Sequence, residues 1–211
     1  EYAAGQGLTV HYQAMDAALQ ANGCINEGLA ATRMGLIGIP NAAETAAVAV
    51  CLALIEHTGA RVHFGRLSTQ HAVRMLELAH SEGAQVSADV AAHHLFLCDD
   101  DIPAFDPNFH LLPPLRSASD LIGLRQSISK PVFSAICSDH QPHGADAKLA
   151  PFASTLAGAS TLETLLSLVL RLVDEDLLSL QQAIALVTYK PAQMLNIDAG
   201  SLTAGAVADL C

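Results

Sequence analysis

The chain has 211 residues, 51% of them hydrophobic and 15% charged, a balance that excludes a disordered tail and suits one domain with a sizeable core. Its 21 acidic residues against 10 basic ones give a net charge of -11, which argues against nucleic acid or an anionic membrane as partner. No apolar run is long enough to span a bilayer and no signal-peptide pattern opens the chain. The five cysteines are odd in number and widely spaced, with no C-x-x-C pair, so they read as reduced thiols of a cytoplasmic protein.

So low a charged fraction leads us to expect an oligomer, with apolar surface covered by a partner or by further chain. Glu1 is not an initiator residue and residues 208–211 resemble a strand just beginning, so the expectation is a piece of a longer polypeptide.

In chain order, residues 7–12 read as a short strand ending near His11, and residues 13–40 as irregular. Asn41 with Glu44 forms a capping-box pattern opening an Ala/Leu/Val-rich helix that Gly59 closes. Residues 61–67 read as the next strand, and Ser68 or Thr69 caps a helix stopped at Gly83. A third strand over 85–90 runs into His93-His94, and a long loop follows over 98–116. Ser117 with Asp120 starts a helix over 121–128, and residues 131–137 form a fourth, buried strand. Ser160 with Glu163 and Ser179 with Gln182 are two more capping boxes, the latter's helix closed by Lys190-Pro191. The fold class is therefore α/β: strand and helix alternate four times at the spacing of a (β/α)8 barrel, with polar residues after the strands. Four strands do not close such a barrel. We read residues 1–195 as the C-terminal half of one, carrying strands five to eight, and 196–211 as the start of a C-terminal return segment.

Ser138-Asp139-His140-Gln141-Pro142-His143 follows the fourth strand, where α/β barrels place their chemistry. Asp139 can ligate a metal or act as a general base, and His143 can hold an anionic substrate. A plain polar loop, with Asp139 capping a turn, accounts for an isolated motif of this kind equally well.

Several segments together resemble the dihydroorotases of the amidohydrolase superfamily. Residues 138–143 match the family's T-D-H-A-P-H, Ala92-His93-His94-Leu95 its P-H-H-L, and Leu112-Pro113-Pro114-Leu115-Arg116 its N-P-P-L-R. Thr161-Leu162-Glu163-Thr164 matches G-L-E-T, and Ile25-Asn26-Glu27-Gly28 matches M-N-E-G. The resemblance implies a zinc-dependent hydrolase that closes carbamoyl aspartate to dihydroorotate, with Asp139 as proton shuttle and metal ligand and His11 as the fifth-strand ligand. It also implies substrate contacts from Arg116 and His143. The pattern then breaks. The sixth-strand H-x-x-H reads His63-Phe64-Gly65-Arg66, so Arg66 replaces a histidine ligand, and arginine has no lone pair to give. Leu112 replaces a substrate-contacting asparagine, and residues 155–158 and 12–14 also depart from the family text.

Three readings follow. The first is a degenerate dihydroorotase homologue without a bound metal, serving as non-catalytic partner of the aspartate transcarbamoylase catalytic chain. The second is an active zinc dihydroorotase seen as a fragment. The third is a half-barrel kept for oligomer contacts alone. His11 is a former ligand, a ligand or a core histidine. His63 is expected to be structural, and at most one of His93 and His94 to face the barrel mouth. Residues 99–101 read as a solvated loop, and Arg116 as binding a substrate carboxylate or pairing with Asp139 or Asp120. Without a metal, the Arg66 guanidinium is expected beside Asp139 or His11.

Overall fold

The computed structural model describes residues 1–207, so the strand start expected at 208–211 lies outside the described residues. A short helix α1 (Tyr2–Gly5) leads into β1 (Thr9–Tyr12), followed by α2 (Ala17–Gln20), β2 (Ile25–Asn26), α3 (Leu29–Met34) and β3 (Gly38–Ile39). Next come α4 (Asn41–Thr58), β4 (Arg61–Phe64), α5 (Gln70–Ser81), β5 (Val86–Ala91), α6 (Ala118–Ser127) and β6 (Phe133–Cys137). The remaining helices are α7 (Leu165–Asp174), α8 (Leu180–Ala185) and α9 (Tyr189–Leu195). Residues 13–40, expected to be irregular, thus hold two short helices and a two-stranded parallel ribbon, β2–β3. The ribbon's strands are two residues each, too short to show a periodicity in sequence.

The main sheet has four parallel strands in the order β1-β4-β5-β6. Parallel neighbours need a crossover, which α4, α5 and α6 supply. On the sheet's outer face Val62, Phe64, Val86, Ala88 and Val90 are buried against the helices, joined by Leu76, Leu124 and Leu172. Alternation puts His63, Ser87 and Asp89 on the other face, and His11 sits opposite His63 in the β1–β4 register. Among the described residues no helix is long and apolar enough to cross a membrane.

Local signals and tertiary contacts divide the control of the helices. Gly59 closes α4 in the left-handed conformation, φ 64°. Thr69 caps α5, Ser117 caps α6, and Ser179 and Gln182 form the reciprocal box that opens α8. Three expectations are corrected. Asn41 and Glu44 do not cap α4: the Asn41 amide donates to Asp120 at 3.0 Å, while Glu44, 1% exposed, accepts from the backbone N–H and hydroxyl of both Ser68 and Thr69. The carboxylate is drawn to four donors at the start of α5 instead of to its own helix end. Ser160 caps nothing; α7 begins at Leu165, preceded by Thr164, which makes no side-chain cap. Pro191 does not close a helix but lies in the first turn of α9, where its missing N–H has no intrahelical partner to lose.

Candidate functional site

β1, β4, β5 and β6 all run the same way, so their carboxyl ends gather the residues that follow them into one mouth. After β4 the backbone turns sharply at Arg66, φ 56°, and after β6 at Asp139, φ 50°. Both are left-handed conformations, which Asp tolerates but Arg seldom adopts, so surrounding contacts must hold Arg66. For Arg66 the contact is its own N–H, which donates to Asp89 Oδ1 at 2.8 Å. The turn aims the guanidinium across the mouth: Nη1 donates to Asp139 Oδ1 at 2.7 Å, and Nη2 donates to Gln13 Oε1. The Asp139 side chain is 5% exposed. Its Oδ1 also accepts from Gln141 Nε2 at 2.7 Å, and His93 Nε2 lies 4.0 Å from Oδ2.

His93 is buried with neither ring nitrogen hydrogen-bonded. Burial lowers its pKa, Asp139 raises it and Arg66 lowers it again, leaving it below the ordinary value. His94 turns away, and one ring nitrogen bonds the Pro114 carbonyl at 3.1 Å. One of the pair therefore faces the mouth.

His11 lies on the edge strand, its ring centroid 5.3 Å from that of His63. Burial and then the neighbouring His63 hold its pKa down. Beneath the mouth, His63 Nε2 bonds Asp89 Oδ2 at 2.9 Å and Nδ1 bonds the Ser87 hydroxyl at 2.9 Å. An ionised Asp89 accepts only, so it fixes the Nε2–H tautomer and leaves Nδ1 to accept from Ser87. Burial pushes the Asp89 carboxyl up, but bonds from His63, the Arg66 N–H and the Cys137 thiol outweigh it and bring its pKa below the usual range.

The 140–162 loop closes one side. His143 Nε2 bonds the Ala157 carbonyl at 2.9 Å and the Gln141 N–H donates to Ala159 at 2.9 Å. His140 Nδ1 accepts from the N–H groups of Thr161 and Leu162. Lys148 ties the carbonyls of Pro107, Leu156 and Gly158 at 2.7–3.0 Å. Gly158, φ 133°, passes so close to Gln141 that any Cβ would meet its carbonyl at 2.5 Å.

The site residues read from sequence fall in two places. Arg66, Asp139, His93 and Leu112, whose carbonyl is 3.5 Å from Arg66 Nη1, share the mouth, with His143 on the loop beside it. Arg116 does not join them, which corrects the substrate-contact role that the resemblance implied. It is 2% exposed, and donates to Ser68 Oγ, Asn26 Oδ1 and the Ile39 carbonyl at 2.8–3.1 Å, so no ligand reaches it without unpacking the β2–β3 ribbon. It pairs directly with neither Asp139 nor Asp120. Residues 99–101 are not simply solvated either: Asp99 is buried and accepts from Asn26 at 2.7 Å, while Asp101 accepts from the Cys98 N–H. Sequence reasoning passed over Asp89, Gln13 and Gln141 as site residues. Asp89 alone carried a signal, as a carboxylate inside a buried strand pattern.

The donor set does not fit the zinc centre that the resemblance implied. At the position that the resemblance assigns to a histidine ligand, Arg66 offers N–H donors and a positive charge and has no lone pair, and it engages Asp139 Oδ1.

A model described as the amidohydrolase family matches residues 14–211. The sequence is 42% identical over 210 residues to a dihydroorotase-like protein of Pseudomonas putida, covering 100% of this chain and 50% of that one. It is 40% identical over 210 residues to a dihydroorotase of Geobacter sp. (strain M21), covering 100% of this chain and 49% of that one. The chain thus spans about half the length of the curated relatives it matches. In structure it resembles L-hydantoinase (dihydropyrimidinase) from Arthrobacter aurescens, with TM-score 0.85 and 26% identity, over 98% of this chain and 48% of that one. It shares the fold of dihydroorotase in complex with 5-fluoroorotic acid from Saccharomyces cerevisiae, with TM-score 0.73 and 18% identity, over 92% of this chain and 52% of that one. The parallel sheet with its outer helices is a partial barrel of this type, and the chain belongs to the amidohydrolase family.

Proposed function

We propose that residues 1–211 are part of a dihydroorotase-like protein of pyrimidine biosynthesis whose mouth is catalytically silent, and which serves as a structural partner of the aspartate transcarbamoylase catalytic chain. One observation carries the reading: the 2.7 Å ion pair between Arg66 and Asp139. Cyclic-amide hydrolysis on this fold needs a metal to activate water and a carboxylate free to carry the proton. Asp139 is engaged by a guanidinium that keeps its protons at any working pH, and the same guanidinium repels a cation. Similarity to the dihydroorotase-like protein of Pseudomonas putida supports the reading at the level of family.

A second reading, an active zinc-dependent dihydroorotase that closes carbamoyl aspartate to dihydroorotate, is favoured by the retention of His11 and Asp139 and by the relatives named dihydroorotase at 39–40% identity. The two separate on one preparation. The natural full-length polypeptide, incubated with zinc and desalted, is mixed with the transcarbamoylase catalytic chain of the same organism and sedimented. We expect a stable joint assembly, and no zinc whose retention depends on Asp139. Separate sedimentation would remove the partner role. Zinc lost on Asp139→Asn would favour the second reading.

A further inference from the structure

At the amino ends of the sheet's strands, opposite the mouth, lies a cavity of about 330 Å³. The first residues of β1, β4 and β6 and Ser87 of β5 wall it on one side, and α9, which packs on β6, walls it on the other. Thr9 and Arg61 are register partners two positions before His11 and His63, so strand alternation puts all four on the same inner face. Lys190 enters from the first turn of α9. The chain holds 21 acidic residues and only 10 basic ones, yet Arg61 and Lys190 line this cavity and no Asp or Glu does. Neither of the two makes an ion pair among the described residues. Cations brought together without a carboxylate repel each other, and an anion between them relieves that repulsion.

The serine hydroxyls define the rest of the ligand. Ser87 Oγ gives its proton to His63 Nδ1 at 2.9 Å, and Ser134 Oγ donates to the Ala88 carbonyl at 3.3 Å. Both line the cavity and offer it lone pairs, not protons. An anionic oxygen gains nothing from a lone pair, whereas a ligand hydroxyl donates to it. Beside them Phe133 gives the cavity an apolar wall against which carbon can pack. We propose that this cavity binds a phosphate monoester of a small polyol. The phosphate lies between Arg61 and Lys190, with the Thr9 hydroxyl as a further donor, and the polyol hydroxyls donate to Ser87 and Ser134. A forked guanidinium and a point-charge ammonium together suit a phosphate dianion. Inorganic phosphate leaves the serine lone pairs unmet, and an uncharged polyol leaves both cations unmet. The cavity lies at the far end of the sheet from Arg66 and Asp139, and the proposal holds whichever chemistry the mouth performs.

The test is calorimetric titration of the natural full-length polypeptide with glycerol 3-phosphate, inorganic phosphate and glycerol. We expect one site per chain that takes the ester, takes inorganic phosphate more weakly and ignores glycerol. Arg61→Gln and Lys190→Gln should each weaken the ester at least about tenfold. Thermal unfolding of the unliganded variants should stay unchanged, since neither cation has an acidic partner to lose. On the unsubstituted protein the ester should slow acetylation of Lys190 by acetic anhydride, read by mass spectrometry. No binding by the full-length protein would overturn the proposal. If both variants also unfolded at lower temperature, a carboxylate elsewhere in the polypeptide would be the partner of these cations. Binding indifferent to both substitutions, with Lys190 unprotected, would overturn it by placing the ligand elsewhere. Equal affinity for phosphate and its ester would overturn it too, because the serines would then hold nothing.

Discussion

At position 66 the side chain brings five N–H donors and no acceptor to a place surrounded by oxygen atoms, and it finds Asp139, Gln13 and the Leu112 carbonyl. The ion pair is lopsided in burial: the Arg66 side chain is 25% exposed and that of Asp139 5%. Removing the cation leaves a nearly buried carboxylate with Gln141 as its remaining donor. Arg66→Met should therefore cost about 1–3 kcal/mol in urea unfolding, and an unchanged midpoint would show that the pair is screened and idle. Asp89 acts one layer below, holding both His63 and the left-handed turn at Arg66. Its folded-state pKa lies below the unfolded one, so its stabilisation is complete above about pH 4 and fades as pH falls through the lower folded value. Asp89→Asn should lower stability by about 3 kcal/mol at neutral pH and flatten the acid limb of the stability curve below about pH 4, measured by urea titration at stepped pH. Arg66 and Asp139 were legible in sequence because they fall inside fixed motifs. Gln13 was not, and Asp89 only as a carboxylate inside a buried strand pattern, because their partners lie 53 and 23 positions away, which no local pattern records; Gln141 stands in the same motif as Asp139, two positions on, and was passed over there.

At the scale of elements, local rules succeeded where the side chain stayed on its own helix end, buried or exposed, and failed where tertiary donors drew it elsewhere. Thr69, Ser117 and Ser179 cap as their sequence patterns predict. Glu44 fits the pattern equally well and does something else. Its buried carboxylate gathers Ser68 and Thr69, and Ser68 Oγ in turn accepts from Arg116, so one acidic residue links α4, the start of α5 and the loop that carries Arg116. Glu44→Ala strands two hydroxyls and two N–H groups and removes a negative charge near the buried Arg116 guanidinium. We expect a loss of about 3–5 kcal/mol, larger than that for truncating any exposed cap, with the β2–β3 ribbon becoming open to proteolysis. A loss below that of Ser179→Ala would contradict this role for the network. Pro191 repeats the lesson: a proline reads as a stop, but in a first turn it reads as a start, and only the chain's path tells which.

For the whole molecule, the strand–helix alternation was visible because long amphipathic segments with caps carry redundant signals, and the parallel order follows from the crossovers. The inner face was less visible. Buried strands read as apolar runs, yet His63, Ser87 and Asp89 form a polar network there that only the register brings together. The fold also buries two imidazoles outside the mouth, His94 and His110. Burial holds the pKa of His94 well below its ordinary value, and burial followed by Lys148 lowers that of His110. The unfolded chain takes up these protons first, near pH 6.5, so stability should fall as pH drops below that value, by up to about 1.4 kcal/mol per pH unit for each such imidazole. Denaturant unfolding between pH 7.5 and about pH 5 measures the slope, and a flat profile there would mean that these rings find water or partners in the folded state.

The central claim is that a guanidinium stands where this family's chemistry needs a metal and a free carboxylate. Its most direct test is turnover of dihydroorotate by the natural full-length polypeptide, purified alone and supplied with zinc. The account predicts no hydrolysis above the zinc blank. Clear turnover that Asp139→Asn abolishes would contradict it, because Arg66 would then have to leave Asp139 in the working enzyme.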